Sequence, residues 1–341
     1  MNALNMDQVI LIDSHLRSLS KDPACTGIVF TGEGDRAFCA GGDVLHIAES
    51  AAAKTDWNRR WFSSEFLMNY YISTYKKPVI SVWKGVVMGG GVGLSIYGSH
   101  RIATETTVFA MPETSIGFFP DIGASYFLSH YVKAPGLGLY LGMTGHRLNG
   151  ADVLKTGLAT HFIPVNKVPE FLSELQSTRN ISHTVESFKL EDPSIELTLT
   201  DEFLYCVNKY FNFENWEDFW TNLVKGASDK DEFAEKSLQS IRSKCPLTVR
   251  VWFESFKLGS KQSLLEVLER EYHMCIQATE TDSSNFQEGV RALLIDKGKG
   301  SPPAYKPATM EEVTPDMVSE IIASRVGGDI KTCLIANRQM F

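Results

Sequence analysis

No apolar run in the 341 residues approaches the roughly 18 to 20 needed to span a bilayer. No signal-peptide pattern opens the chain either, which enters the amphipathic stretch "MNALNMDQVILIDSHL" at once. An excess of basic charge is also lacking. With 33 Lys and Arg against 41 Asp and Glu, the formal charge is −8, which argues against nucleic acid or an anionic membrane as the main partner. Cysteine is sparse: Cys25, Cys39, Cys206, Cys245, Cys275 and Cys333 are scattered, with no CxxC pair and no dense framework. They read as reduced thiols in a reducing compartment. Internal repeats and low-complexity tracts are absent. Neither glycine-rich turn matches GxGxxG with an acidic residue about 20 positions on, and neither carries the Lys-Ser/Thr of a P-loop, which argues against dinucleotide or nucleoside-triphosphate chemistry.

What remains is an ordinary globular composition, 43% hydrophobic and 22% charged, in a chain long enough for one large domain or two modest ones. Val9, Ile12, Leu16 and Leu19 recur at helical spacing and predict a helix over 7–20. "TGIVFTG" (26–32) reads as a buried strand, 32–44 as a glycine-rich loop, and 56–75 as a long aromatic-rich helix closed before Pro78. Residues 77–104 then repeat the order strand, glycine turn, helix, strand. Such alternation predicts an α/β layer architecture. Beyond 165 charged and aromatic residues sit at helical spacing with few strand-like runs. The expected division is an α/β core over 1–164, a helical region over 165–310 and a loosely structured tail over 311–341.

Two features carry chemistry. Ala40-Gly41-Gly42-Asp43 and Met88-Gly89-Gly90-Gly91-Val92-Gly93 are turns at which free backbone N–H groups could converge into an oxyanion hole; simple tight turns are the alternative. "AMPETSIGFFPDIGASY" (110–126) sets Glu113 and Asp121 among apolar residues, where a carboxylate is costly unless paired, solvated or used. The plainer readings are a turn carboxylate for Glu113 and an N-cap near Ile122 for Asp121.

Taken in order, "AFCAGGD", "KPVISVWKGVVMGGGVGLS", "FAMPETSIGFFPDIGASYFLS", "TGHRLNG" and "FQEGVRALLIDK" make the chain resemble the crotonase (enoyl-CoA hydratase/isomerase) superfamily, most closely its 3-hydroxyisobutyryl-CoA hydrolase branch, over roughly residues 1–310. The resemblance implies stacked ββα units with a helical C-terminal region covering the active site. Members usually begin with a β-hairpin before the motif that Ala3-Leu4-Asn5 resembles, so that hairpin is expected to be missing here. The resemblance also implies an acyl-CoA substrate whose thioester oxygen lies between the N–H groups of Gly42 and Gly90, with Ala40 beside the adenine. The first of the two hydratase glutamates falls here on Gly93, the second on Glu113, and Asp121 replaces a usual glycine. That pattern resembles the hydrolase branch, in which Glu65 would face the acyl hydroxyl. Glu113 is then nucleophile or general base and Asp121 the auxiliary carboxyl.

The implied reaction belongs to valine breakdown in the mitochondrial matrix and takes no cofactor, CoA being part of the substrate. No metal, nucleic acid or membrane enters it, and a homo-oligomer is left open. Two rivals stand beside it: an enoyl-CoA isomerase or hydratase-type enzyme, and a hydrolase-like structural subunit of a larger assembly such as a mitochondrial ribosome. Smaller expectations complete the reading. Asp43 caps its helix, and His100, His146 and His161 lack metal-ligand spacing. Arg36, Lys84 and Lys133 are candidates for the CoA phosphates, and "YFNFENWEDFW" (210–220) is a packing face.

Overall fold

The computed structural model describes residues 1–191, 195–281 and 284–325; Cys333 and the terminal "RQMF" lie outside the described residues. The chain forms two compact units that interleave in sequence. One comprises 1–42, 67–110 and 147–200, the other 43–66, 111–146 and 201 onward.

The first unit holds the strands. In chain order they are β1 (Ile28–Thr31), β2 (Ala37–Cys39), β3 (Val79–Trp83) and β4 (Val86–Met88). β5 (His100–Ala103), β6 (Val108–Ala110), β7 (Leu148–Asn149) and β8 (His161–Phe162) follow. They assemble into two four-stranded sheets, β1-β3-β5-β8 and β2-β4-β6-β7, parallel except for the β6–β7 pair. Every residue of β3 is buried, as befits a central parallel strand with both faces covered. The helix Met6–Lys21 confirms the periodicity: Val9 and Leu16 are its buried positions, and a capping box between Asn5 and Gln8 starts it.

Residues 165–200 belong to this unit rather than to a separate helical region. Helices Val168–Thr178 and Ile181–Phe188 bring Val168, Phe171, Leu175 and Val185 onto Ile80, Val82, Ile102 and Ile163. Burying those chains, each worth about 1.5–3 kcal/mol, ties the segment to the sheets.

The second unit is helical among its described residues, and it claims 111–146, which the sequence pattern had assigned to the α/β core. Helices Ala124–His130 and Leu137–Thr144 pack on helix Pro246–Gly259. Close approach is the reason. Trp252 Nε1 donates to the Leu139 carbonyl at 3.1 Å, and a Cβ on Gly142 would lie 2.2 Å from the Trp252 ring. The 210–220 aromatics are a packing face: Phe211 and Phe219 are fully buried, and Phe219 meets Phe253 at 5.5 Å between ring centres. The loose tail expected over 311–341 is corrected for its described part, up to 325, and the rest lies outside the described residues. Residues Met310–Glu312 form a 3-10 turn, and Pro315–Ile322 is a helix packed on helices Pro246–Gly259 and Leu264–Glu280.

Among the described residues no helix is long and apolar enough to cross a membrane. Gly142→Ala should lower the unfolding free energy by about 1–3 kcal/mol through overpacking. Urea denaturation checks this, and an unchanged midpoint would contradict the Trp252 contact.

Candidate active site

In the second unit, the chain places Glu113 at the start of a 3-10 turn, Glu113–Ile116, closed by Gly117 at φ 69°. Only glycine suits that position twice over, because a Cβ there would lie 2.0 Å from the Asn285 carbonyl oxygen. The turn is gripped on several sides. Thr114 donates to the Met143 carbonyl (3.1 Å) and accepts from Cys245 N–H (3.0 Å). Lys244 donates to Ser115 Oγ (2.8 Å), and the Tyr305 hydroxyl donates to the Ser115 carbonyl (2.6 Å). With so many fixed partners, the turn that carries Glu113 has little freedom to move.

Phe118 follows the turn, stacks on Phe62 and Phe119 and meets Phe286 at a tilt, which lines the neighbourhood with apolar surface. Asp121 comes next, on a turn in which Ile122 has φ 55° and Gly123 φ 82°. Glu65, on helix Trp57–Ser73, is the third carboxylate. Glu65, Glu113 and Asp121 are all buried. Glu65 Oε1 and Glu113 Oε2 have no hydrogen-bond partner, which is unusual for buried polar atoms.

The electrostatics follow from this burial. Loss of water pushes the Glu113 carboxyl well above the usual range, and repulsion from Asp121 adds to it. Burial and then Asp121 do the same to Glu65. Asp121 itself is raised by burial and then by the charge of Glu271, to about 8. Glu65, Glu113 and Asp121 therefore form one electrostatically connected group in which burial and like charge favour the protonated forms.

The first unit brings the two glycine loops together. A Cβ on Gly41 (φ 113°) would stand 3.7 Å from Gly90 N, and one on Gly91 would lie 2.4 Å from the Cys39 carbonyl oxygen. Gly42 pairs with Leu4 in a parallel bridge, and the Ala40 N–H donates to the Met1 carbonyl (3.1 Å). Gly90 opens the helix Gly90–Ile96, where the first N–H groups have no intrahelical acceptor.

Other residues singled out in the sequence have identifiable surroundings. Asp43 does cap helix Val44–Ala52, accepting from His46 N–H. The N-cap reading of Asp121 is corrected: helix Ala124–His130 is capped at Gly123, and the carboxylate that accepts from its first N–H groups is Glu271. His100 and His161 stack on each other at 5.5 Å, and Lys84 pairs with Asp35 at 2.9 Å. No cluster suited to a metal ion occurs among the described residues.

Sequence reasoning missed Arg270, Glu271 and Cys275. All three are buried on helix Leu264–Glu280, and Cys275 Sγ lies 3.8 Å from Asp121 Oδ2. The signal was there: Glu271 continues the apolar stripe of Val267, Leu268, Met274 and Cys275, where a charge is out of place.

The profile of the family described as enoyl-CoA hydratase/isomerase matches residues 1–322. The chain belongs to this family. Its similarity extends to 3-hydroxyisobutyryl-CoA hydrolase, mitochondrial, of Xenopus tropicalis, 38% identical over 97% of this chain and 86% of that protein. To 3-hydroxyisobutyryl-CoA hydrolase 1 of Arabidopsis thaliana it is 34% identical, over 94% and 85%. Among solved structures, a carnitinyl-CoA dehydratase from Mycobacterium thermoresistibile superposes with a TM-score of 0.87 at 30% identity, covering 96% of this chain and 92% of that one. An enoyl-CoA hydratase from Rhodobacter sphaeroides gives 0.83 at 29%, covering 95% and 91%. The crotonase fold is thereby established for this member of the enoyl-CoA hydratase/isomerase family.

The raised carboxyls predict how stability varies with pH. A folded-state pKa above the unfolded one means that the unfolded chain releases a proton the native chain keeps. For Asp121 that stability is complete below about pH 4 and is lost as pH rises toward 8. Asp121→Asn should therefore be more stable than the parent at pH 8, by about 0.5–2 kcal/mol, with the gap closing toward pH 4. Parallel stability curves, measured by denaturation at several pH values, would contradict the shift.

Proposed function

We propose that the chain hydrolyses the thioester of 3-hydroxyisobutyryl-CoA, releasing 3-hydroxyisobutyrate and CoA, with 3-hydroxypropionyl-CoA, one methyl smaller, as a second substrate. One observation carries this reading beyond family membership. Glu113, buried and with an unpartnered oxygen, stands in the same electrostatic group as Asp121, while the position of the other hydratase glutamate is Gly93. A hydratase needs two carboxylates to deliver water across a double bond, whereas a thioesterase needs one to attack or activate water and an acid for the leaving sulfur.

The chemistry runs as follows. The N–H groups of Gly42 and Gly90, assigned by the family resemblance, hold the thioester oxygen and stabilise the charge that develops on it; one such donor is typically worth about 10²–10³ in rate. Glu113 attacks the acyl carbon, forming a C–O bond while the C–S bond breaks, and the electron pair goes to sulfur. Asp121 gives that sulfur its proton. Water then attacks the Glu113 carbonyl carbon of the anhydride, breaking its bond to the acyl oxygen and releasing the hydroxy acid, while one of the water protons returns to Asp121. In the alternative route Glu113 deprotonates a water that attacks directly. Glu65 accepts a hydrogen bond from the acyl hydroxyl, and Ala40 lies along the adenine. The reaction draws on no separate cofactor, since side chains and water supply every group it needs. The vertebrate relatives are named as mitochondrial, and the matrix is the compartment we assign.

Thiol release from 3-hydroxyisobutyryl-CoA, compared with unsaturated acyl-CoA thioesters, tests the reading. Release from the hydroxyacyl substrate supports it. Double-bond migration or hydration without release would favour the isomerase or hydratase rival, and no turnover of any thioester the structural-subunit rival. Glu113→Gln should lower kcat by about 10²–10⁴ with KM little changed; retained turnover would refute the role. Single turnover in H₂¹⁸O should place label in Glu113 if the anhydride forms, and its absence would leave the general-base route.

A further inference from the structure

The turn that carries Asp121 is backed by a side chain that the mechanism above does not use. Glu271 is fully buried on helix Leu264–Glu280. Its Oε2 accepts from Gly123 N–H at 2.6 Å, and its Oε1 accepts from the Ser125 hydroxyl at 2.7 Å and from Ser125 N–H at 3.4 Å. Donor accounting fixes the direction of each bond. Arg270 can only donate, and it reaches Ser125 Oγ at 3.0 Å. That hydroxyl therefore spends its single proton on Glu271. Every contact made by the Glu271 carboxyl is then a donor pointing into it, an arrangement that suits the ionised form. Arg270 is itself held by Ser255 Oγ (2.6 Å) and Gln262 Oε1 (2.9 Å), so its charge stays on Glu271's side of the turn.

Two consequences reach Asp121. The first is geometric. Ile122 is β-branched and buried, yet its φ is 55°, and Gly123 follows at 82°. A left-handed β-branched residue persists only where its surroundings over-determine it, and Glu271 grips the next residues on both sides of Ala124. The second is electrostatic. Asp121 is faced by Glu65 from helix Trp57–Ser73, by Glu113 from the 3-10 turn, and by Glu271 and the Cys275 thiol from helix Leu264–Glu280. Burial raises Glu271 as well, but in that company only Glu271 has an arginine beside it and several donors to oppose the rise.

We propose that Glu271 is a positioning residue for hydrolysis: it holds the 121–125 turn from behind, and its fixed buried charge assigns the proton to Asp121. Asp121 is thereby the acid that protonates the leaving sulfur, and Glu113 the group left to attack or act as base. This rests on the hydrolase reading of the same site.

The test is Glu271→Gln, assayed by thiol release from 3-hydroxyisobutyryl-CoA across pH. Removing the charge should leave KM within about threefold, lower kcat by about 10- to 100-fold, and move the descending limb of the kcat profile about one pH unit lower. In an Asp121→Asn background the same change should cost nothing further. An unmoved limb, or losses that multiply in the double variant, would overturn the proposal. If Glu271→Gln does not fold, Ser125→Ala removes one of the three donors and should shift the limb in the same direction by less; no shift would again overturn it. If the parent protein releases no thiol, the hydrolase reading fails by itself. The titration of Asp121, followed by carboxyl ¹³C NMR in parent and variant, then decides the Glu271 role, and identical titrations would overturn it.

Discussion

Burying negative charge is the constraint on which the rest of this protein's chemistry depends. Glu65, Glu113, Asp121 and Glu271 are all withdrawn from water within one unit, and each unit by which a carboxyl's pKa is raised costs its charged form about 1.4 kcal/mol. Four such groups cannot all be ionised together. Either protons are shared among them or the unit pays in stability, and the structure indicates how they are shared. One carboxyl, Glu271, accepts from Gly123 and Ser125 and has the Arg270 charge nearby, itself bonded to the Ser125 hydroxyl. Burial raises Glu271 too, but Arg270 and the donors oppose that rise, whereas Glu65 and Glu113 are pushed upward by burial and Asp121, and Asp121 by burial and Glu271.

A strained charge distribution persists only on a rigid support. The Glu113 turn is held, through Thr114, Ser115 and Gly117, against Met143, Lys244, Asn285 and Tyr305, four distant places in the chain. The Asp121 turn stores a left-handed isoleucine under the grip of Glu271. The first device is a set of stabilising hydrogen bonds, whereas the second stores backbone strain of the kind that clusters at reactive sites. In the other unit the same economy of space brings the Gly41 and Gly90 loops into contact, with glycine at Gly91 where the Cys39 carbonyl leaves no room for a Cβ.

Much of this could be read from the residues in order. Strand-forming runs such as "KPVISVW", the two glycine turns and the Pro-Glu turn are local signals, and each lies where its pattern placed it. What was not legible is long-range. Segments 111–146 and 165–200 exchange the units their sequence neighbours suggest, because Trp252 packs on Gly142 and Phe171 joins the cluster on β3. The capping of helix Ala124–His130 comes from Glu271, nearly 150 positions away, and no N-cap rule could have supplied it. The helix Pro315–Ile322 had its own signal, Thr314 as cap and proline in the first turn. The glycine- and proline-rich stretch ahead of it outweighed that signal.

The pH dependence of kcat/KM for 3-hydroxyisobutyryl-CoA bears most directly on the shared-proton account, because it reports the free enzyme's essential acid and base. The account predicts a bell. Its ascending limb, where the attacking carboxyl ionises, lies well above the ordinary value of about 4, and its descending limb lies near the value of about 8 at which Asp121 gives up its proton. A profile that rises through pH 4 and then stays flat into alkaline solution would mean that the carboxyls titrate independently, and would contradict it.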